Sequence, residues 1–470
     1  MQSLSHRYAE KLADLVSVVA PQGLKNQRLR MVNRPLAEQL QLDPELWENA
    51  SLTTLLTEPD SAWSARAVAQ KYGGHQFGHW NPDLGDGRGL LLGECLDKQG
   101  NYQDLHLKGA GQTPYSRFAD GRAVLRSTLR EYIGSEALHA LGIPTSRALC
   151  LFSSDETVMR ERAEPGAMMI RTAPSHIRFG HFEYFFHSGD KDKLEALFNF
   201  VLKEYFSECI DQPNPHQALL RAITLRTARM IALWQCHGFV HGVMNTDNMS
   251  IHGITFDYGP YAFIDNFHAS AVFNHSDPQG RYAFDRQPGI ALWNLNMLAY
   301  AFTPYCDTKE IRDTLEQFEP VFLAQYQKLM LTRLGLSEGA AQRQLSNDWL
   351  SLLSAEQRDY TASFRLLARH QHTRDAGVLR DSFIDRARFD NWWASYCEYR
   401  QPRDLLSENP AVIPRTHLLN EAIKQAESDD FSYAEALLDA CLSPYDTTWD
   451  DHHFASLPAT AAPVSLSCSS

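Results

Sequence analysis

No stretch of the sequence approaches the ~20 consecutive apolar residues that a helix needs to cross a bilayer, which excludes a helical membrane protein. Basic residues are in the minority. Lys and Arg number 44 against 57 Asp and Glu, a formal net charge of -13, so a protein whose main task is holding nucleic acid is excluded, because phosphate neutralisation needs a basic surface. A local basic pocket for one nucleotide is compatible with that balance. The 8 cysteines contain no CxxC pair, which fits neither a zinc site nor a secreted disulfide framework and points to a reducing, cytoplasmic setting. The N-terminal residues lack the unbroken apolar core of a signal peptide, so a soluble protein with no membrane partner is expected. There is no internal repeat, and the only low-complexity segment is the end, ASLPATAAPVSLSCSS, expected to be a mobile tail.

What is present is ordinary for a soluble enzyme: 470 residues, 44% hydrophobic and 21% charged. Residues 66–185 read as short strands, glycine turns and one strong helix, whereas residues 186–450 are mostly helical, as in ALLRAITLRTARMIALWQCHGF. The expected class is α+β. A small mixed lobe precedes a larger helical lobe, with residues 1–65 as an N-terminal extension and 451–470 as a flexible tail.

Five features carry chemistry. In GDGRG, residues 85–89, alternate glycines would let the backbone approach an anion and offer it free N–H groups, although a simple glycine turn has the same composition. The span GLLLGECLDKQGNYQDLHLKG predicts a hairpin whose second strand ends at Lys108, a candidate phosphate ligand. The helix expected over DGRAVLRSTLREYIGSEALHALGIP, with Asp120 near its start, offers Glu131 or Glu136 to hold that lysine. Glu131 is preferred, since Arg122, Arg126 and Arg130 form a stripe taken to mark the phosphate-facing side. Arg171 and Arg178, in MMIRTAPSHIRFGHFEYF, are on their residues alone either phosphate clamps or surface arginines.

The fifth feature is HGVMNTDNMSIHGITFDYG, residues 241–259. A two-residue turn at His252-Gly253 would pair Ile251 with Ile254 and set Asn248 opposite Asp257, an amide oxygen and a carboxylate able to share a hard cation. DYG matches the DFG metal motif of protein kinases in kind, and His241 and Asn248 have the spacing of the His and Asn in HRDLxxxN. Val243 stands where a kinase carries its catalytic aspartate and cannot accept a proton. Asp247 is the only carboxylate in the loop before the turn, so it is a replacement base or the mark of a dead site.

KYGGHQFGHWNPDLGDGRG, LHLKGAGQTPYSRFADGRAVLRSTLREYIGSEALHALGIPTSRAL and HGVMNTDNMSIHGITFDYGPYAFID together resemble the protein adenylyltransferase selenoprotein O family of pseudokinases, in its bacterial form. The resemblance implies a protein-kinase-like fold holding ATP in a flipped orientation. AMP would pass to Ser, Thr or Tyr hydroxyls of protein substrates with release of pyrophosphate, and UTP is an alternative donor, for uridylylation. It further implies that Gly85, Gly87, Arg88, Lys108, Asp120, Gly121, Arg171, Arg178 and Asp257 contact the nucleotide, with Glu131 as the partner of Lys108. Asp247 would be the proton acceptor, and Asn248 and Asp257 would hold Mg²⁺ or Mn²⁺. The competing readings are a kinase that transfers the γ-phosphate and an inert ATP-binding scaffold. Cys468 lies where eukaryotic members carry selenocysteine, which raises a redox role for it.

Overall fold

The computed structural model describes residues 3–58, 60–458 and 466–467. Its small lobe is an antiparallel sheet ordered β1-β3-β5-β6-β9-β8-β2, with β4 paired to β3 and β7 to β9. The strands are β1 Val16–Val18, β2 Arg28–Val32, β3 Val68–Gln76, β4 His79–Gly85, β5 Gly89–Leu96, β6 Tyr102–Lys108, β7 Ala123–Val124, β8 Arg147–Met159 and β9 Ala163–Ala173. Residues 1–65, expected as an extension, therefore supply two strands of the sheet, β1 beside β3 and β2 beside β8.

The hairpin expected around DKQGN is formed by β5 and β6, with Gly89 opposite Lys108. Asp97 closes its turn by accepting from the backbone N–H groups of Gln99 (3.0 Å) and Asn101 (2.8 Å). Alternation along β5 sends Leu90 and Leu92 into the core shared with Leu52 and Trp63 of the first segment, and Leu91 into the main core on the other face. That other face packs on the helix Leu125–Ala140. Leu129 and Ile133 of this helix share one apolar cluster with Leu418, Leu419 and Leu437 from the helices Thr416–Glu427 and Ser432–Leu442.

The helix starts later than expected. Ala123 and Val124 pair with β9, and Asp120–Arg122 lie in the turn before. Gly121 is required in that turn: its φ is +69°, and a Cβ would sit 2.1 Å from the Gly111 carbonyl. The arginine stripe is tied into the fold, with Arg122 alone of the three also lining the cleft between the lobes. Arg122 pairs with Glu156 (2.7 Å), Arg126 grips Glu164 through two bonds (2.8 and 2.9 Å), and buried Arg130 donates to the Tyr261 carbonyl (2.6 Å).

The large lobe is helical. Its long helix Pro215–His237 is capped by Asn214, which accepts from the N–H groups of His216 and Gln217, and it ends at left-handed Gly238. The chain then runs through β10 Phe239–Val240 into the loop of residues 241–259, and β11 Ala262–Phe263 returns to pair with β10. A distal aromatic core around Trp349, Phe364, Phe389 and Trp392 completes the lobe. The arrangement is the two-lobed, kinase-like one expected.

The loop differs from expectation in one respect. A turn closes at residues 250–253, with Gly253 N–H donating to the Ser250 carbonyl (3.2 Å), but its arms do not pair with each other. Ser250 bridges Arg178, and Thr255 bridges Thr145. The arms are drawn apart by partners on either side of the loop. In the expected tail, Leu466 bridges Asn274 and is buried, while Cys468 lies outside the described residues. The seven described cysteines are free thiols, and among the described residues no helix is long and apolar enough to cross a membrane.

Candidate active site

Between the lobes lies a cleft of about 450 Å³. Gly85, Gly87, Arg88, Lys108, Asp120, Gly121, Arg171, Arg178, Asp247, Asn248 and Asp257 all line it. Glu131 stands directly behind Lys108.

Glu131 is on the buried side of the Leu125–Ala140 helix and bonds the Lys108 ammonium with one oxygen and Arg171 with the other (3.0 Å). Burial alone would raise the Glu131 carboxyl, but Lys108 and Arg171 outweigh it and hold the group down at about 2. Burial, joined by Arg88 and Arg171, lowers the Lys108 ammonium to about 8 against the pull of Glu131. Glu136, the alternative, instead accepts from Arg147 (2.9 and 2.6 Å).

Arg171 lies on β9 opposite His106 of β6, and Arg178 precedes the helix Phe179–His187. They are 3% and 2% exposed, so the surface reading fails. Arg171 Nη1 bonds Asp257 Oδ1 (2.6 Å), and Arg178 Nη1 bonds Asp257 Oδ2 and the Asp247 carbonyl (2.7 Å). The Arg178 guanidinium lies over the Tyr72 and Phe256 rings, 4.7 and 4.6 Å from their centroids. Asp257 has φ +61°, a left-handed conformation that aspartate tolerates better than most residues.

The glycine turn works differently from the simple anion cradle. The N–H groups of Asp86 and Gly87 are engaged by the carbonyls of Gln70 (2.9 Å) and Gly85 (2.7 Å). Sequence reasoning passed over Asp86 itself, which is buried, accepts from Gln70 N–H (3.1 Å) and faces His106 at 3.4 Å. It also missed Arg160, from the turn between β8 and β9, which grips both oxygens of Asp120 at 2.8 Å. No local pattern links these residues, since their partners are far away in the chain.

Asp247 is buried, and burial raises its carboxyl to about 6 although Arg178 pulls the other way. Its Oδ2 accepts from Gln76 Nε2 (3.3 Å), and its Oδ1 has no hydrogen-bond partner among the described residues. Val243 is buried in the lining of the same cleft, and its carbonyl accepts from Asn248 Nδ2 (3.1 Å). That bond leaves the oxygen end of the Asn248 amide as a potential ligand. Among the described residues no cluster of three His, Cys, Asp or Glu side chains could hold a metal. An amide oxygen and a carboxylate are ligand types for a hard divalent cation that takes its remaining ligands from water and phosphate, although here both Asp257 oxygens are engaged by Arg171 and Arg178.

The sequence matches the family model described as protein adenylyltransferase SelO over residues 2–441. It is 49% identical to the protein nucleotidyltransferase YdiU of Pseudoalteromonas atlantica, covering 100% of each chain. It is 45% identical to the protein of the same name from Stutzerimonas stutzeri, over 99% of this chain and 98% of the relative. Identity to the protein of that name from Klebsiella pneumoniae is 42%, over 100% and 99%.

Proposed function

The chain belongs to the protein adenylyltransferase SelO family and is a nucleotidyltransferase; from that premise we propose that it moves AMP from ATP onto Ser, Thr or Tyr hydroxyls of proteins. The acceptor oxygen forms a bond to the α-phosphorus, the bond from that phosphorus to the β-bridging oxygen breaks, and pyrophosphate leaves. Asp247 takes the hydroxyl proton. Arg88, Lys108, Arg171 and Arg178 bind the phosphates, with Glu131 aligning the lysine and Arg171, while Gly85, Gly87, Asp120 and Gly121 form the nucleotide-facing rim. Asn248 and Asp257 would hold Mg²⁺ or Mn²⁺, which when bound neutralises phosphate charge, and Asp257 would also approach the nucleotide.

The observation that carries this reading is the buried Asp247 carboxyl lining a cleft in which Val243, at the kinase base's position, cannot act as base. A base displaced from the kinase position supports attack on a different phosphorus. The flipped nucleotide belongs to this proposal, because it presents the α-phosphorus to Asp247.

Incubation with α-labelled and, separately, γ-labelled ATP tests it. Label should enter acceptor protein from the α position, and transfer from the γ position alone would refute the proposal. Asp247→Ala should lower transfer by ~10² to 10⁴ while ATP binding persists. Unchanged transfer in that variant would remove Asp247 as base. α-Labelled UTP assays uridylylation in the same format.

A further inference from the structure

The β3–β4 hairpin starts in the small lobe and reaches the catalytic loop of the large one. Its tip is pinned there: Phe77 N–H donates to Asn245 Oδ1 and to the Tyr282 hydroxyl, both at 3.1 Å, and His75 N–H donates to Thr246 Oγ1 (2.7 Å). Gly74 faces Asp247 so closely that a Cβ would lie 2.9 Å from the Asp247 Cβ and Oδ1 atoms. Strand alternation puts Gln76 on the same face as Gly74. Its Nε2 donates to Asp247 Oδ2 (3.3 Å), and its Oε1 accepts from Asn81 Nδ2 on the returning strand (3.2 Å).

We infer that Gln76 is a positioning residue for Asp247 and that Asn81 fixes the Gln76 amide in the orientation this requires. The inference rests on the reading of Asp247 as the base. With Oδ2 tied to Gln76 and the Asp247 carbonyl tied to Arg178, the carboxylate has a set direction in the cleft. The Asn81 bond uses the acceptor end of the Gln76 amide, so the donor end must face the carboxylate. A neutral amide restrains Asp247 without introducing a cation that would compete for its negative charge.

The test is label transfer from α-labelled ATP to the soluble protein of a bacterial lysate, with kcat and KM for ATP measured separately. Gln76→Ala should lower kcat by about ten- to hundredfold, the scale of a misplaced catalytic group, with KM for ATP unchanged. Gln76→Glu keeps the shape but replaces the donor with a second carboxylate, so it should be at least as impaired. Asn81→Ala should reduce kcat less, and its effect should vanish in a Gln76→Ala background, because the two residues act in series. Should Gln76→Ala not fold, Gln76→Glu and Asn81→Ala decide by the same split. Full kcat in folded Gln76 variants, or an Asn81→Ala effect that persists undiminished without Gln76, would overturn the inference. If Asp247→Ala abolishes transfer while the Gln76 variants retain full kcat, this inference alone fails. Full transfer in Asp247→Ala would instead overturn the base assignment beneath it.

Discussion

Asp247 is held in an environment that works against its charge, and its carboxyl rises to about 6 as a result. A base must be ionised to accept a proton. Transfer at limiting ATP, read as kcat/KM, should therefore lose about tenfold for each pH unit below about 6, an acid limb well above that of an ordinary carboxylate. A rate profile between pH 4 and pH 8, about two units either side, checks this; a limb centred near the usual aspartate value would remove burial as the controlling influence. At this scale the sequence is informative wherever partners lie in short motifs. Asp247, Asn248 and Asp257 stand within one loop, and Lys108 finds Glu131 on the next helix. Gln76 and Arg160 could not be assigned that way, because their partners Asp247 and Asp120 are brought to them only by the hairpin and the sheet.

The Leu125–Ala140 helix carries Glu131 and contains Gly134 in its interior. In an exposed helix Ala would be favoured over Gly by ~1 kcal/mol. Here the sign inverts, since a Cβ at Gly134 would lie 2.3 Å from the hydroxyl of Tyr261, which donates to the Arg130 carbonyl (2.8 Å). Gly134→Ala should destabilise the protein by ~1–3 kcal/mol, read as a lower thermal midpoint. A higher midpoint would show that the helix and Tyr261 can separate freely. Elements whose turn and strands are contiguous were legible, as with β5 and β6 closed by Asp97. The turn at residues 250–253 was legible too, but its strand register was not, because Arg178 and Thr145 supply competing partners. β1 and β2 were missed for the same reason: each is short and defined by a neighbour far along the chain.

Across the whole molecule, Arg415 joins three distant segments. It is 1% exposed, bonds both oxygens of Asp359 at 2.7 and 3.0 Å, and also pairs with Asp265 beyond the catalytic loop. Arg415→Ala would leave Asp359 buried without its cation and should cost about 3–5 kcal/mol, seen as a lower denaturant midpoint. Lys at this position should not restore stability, since it cannot reproduce the two-pronged contact; an unchanged midpoint in either variant would refute the account. The order of lobes was legible from the shift in periodicity near residue 190, but the return of the chain's last helices to the first lobe was not. That return also sets a schedule for biosynthesis. The helix that holds Glu131 rests on the helices Thr416–Glu427 and Ser432–Leu442, so a chain still emerging from the ribosome has every cleft-lining residue in hand but lacks the backing that seats them. At ordinary elongation rates that interval lasts on the order of ten seconds or more. The cleft therefore gains its full backing only after residues 416–442 have been added.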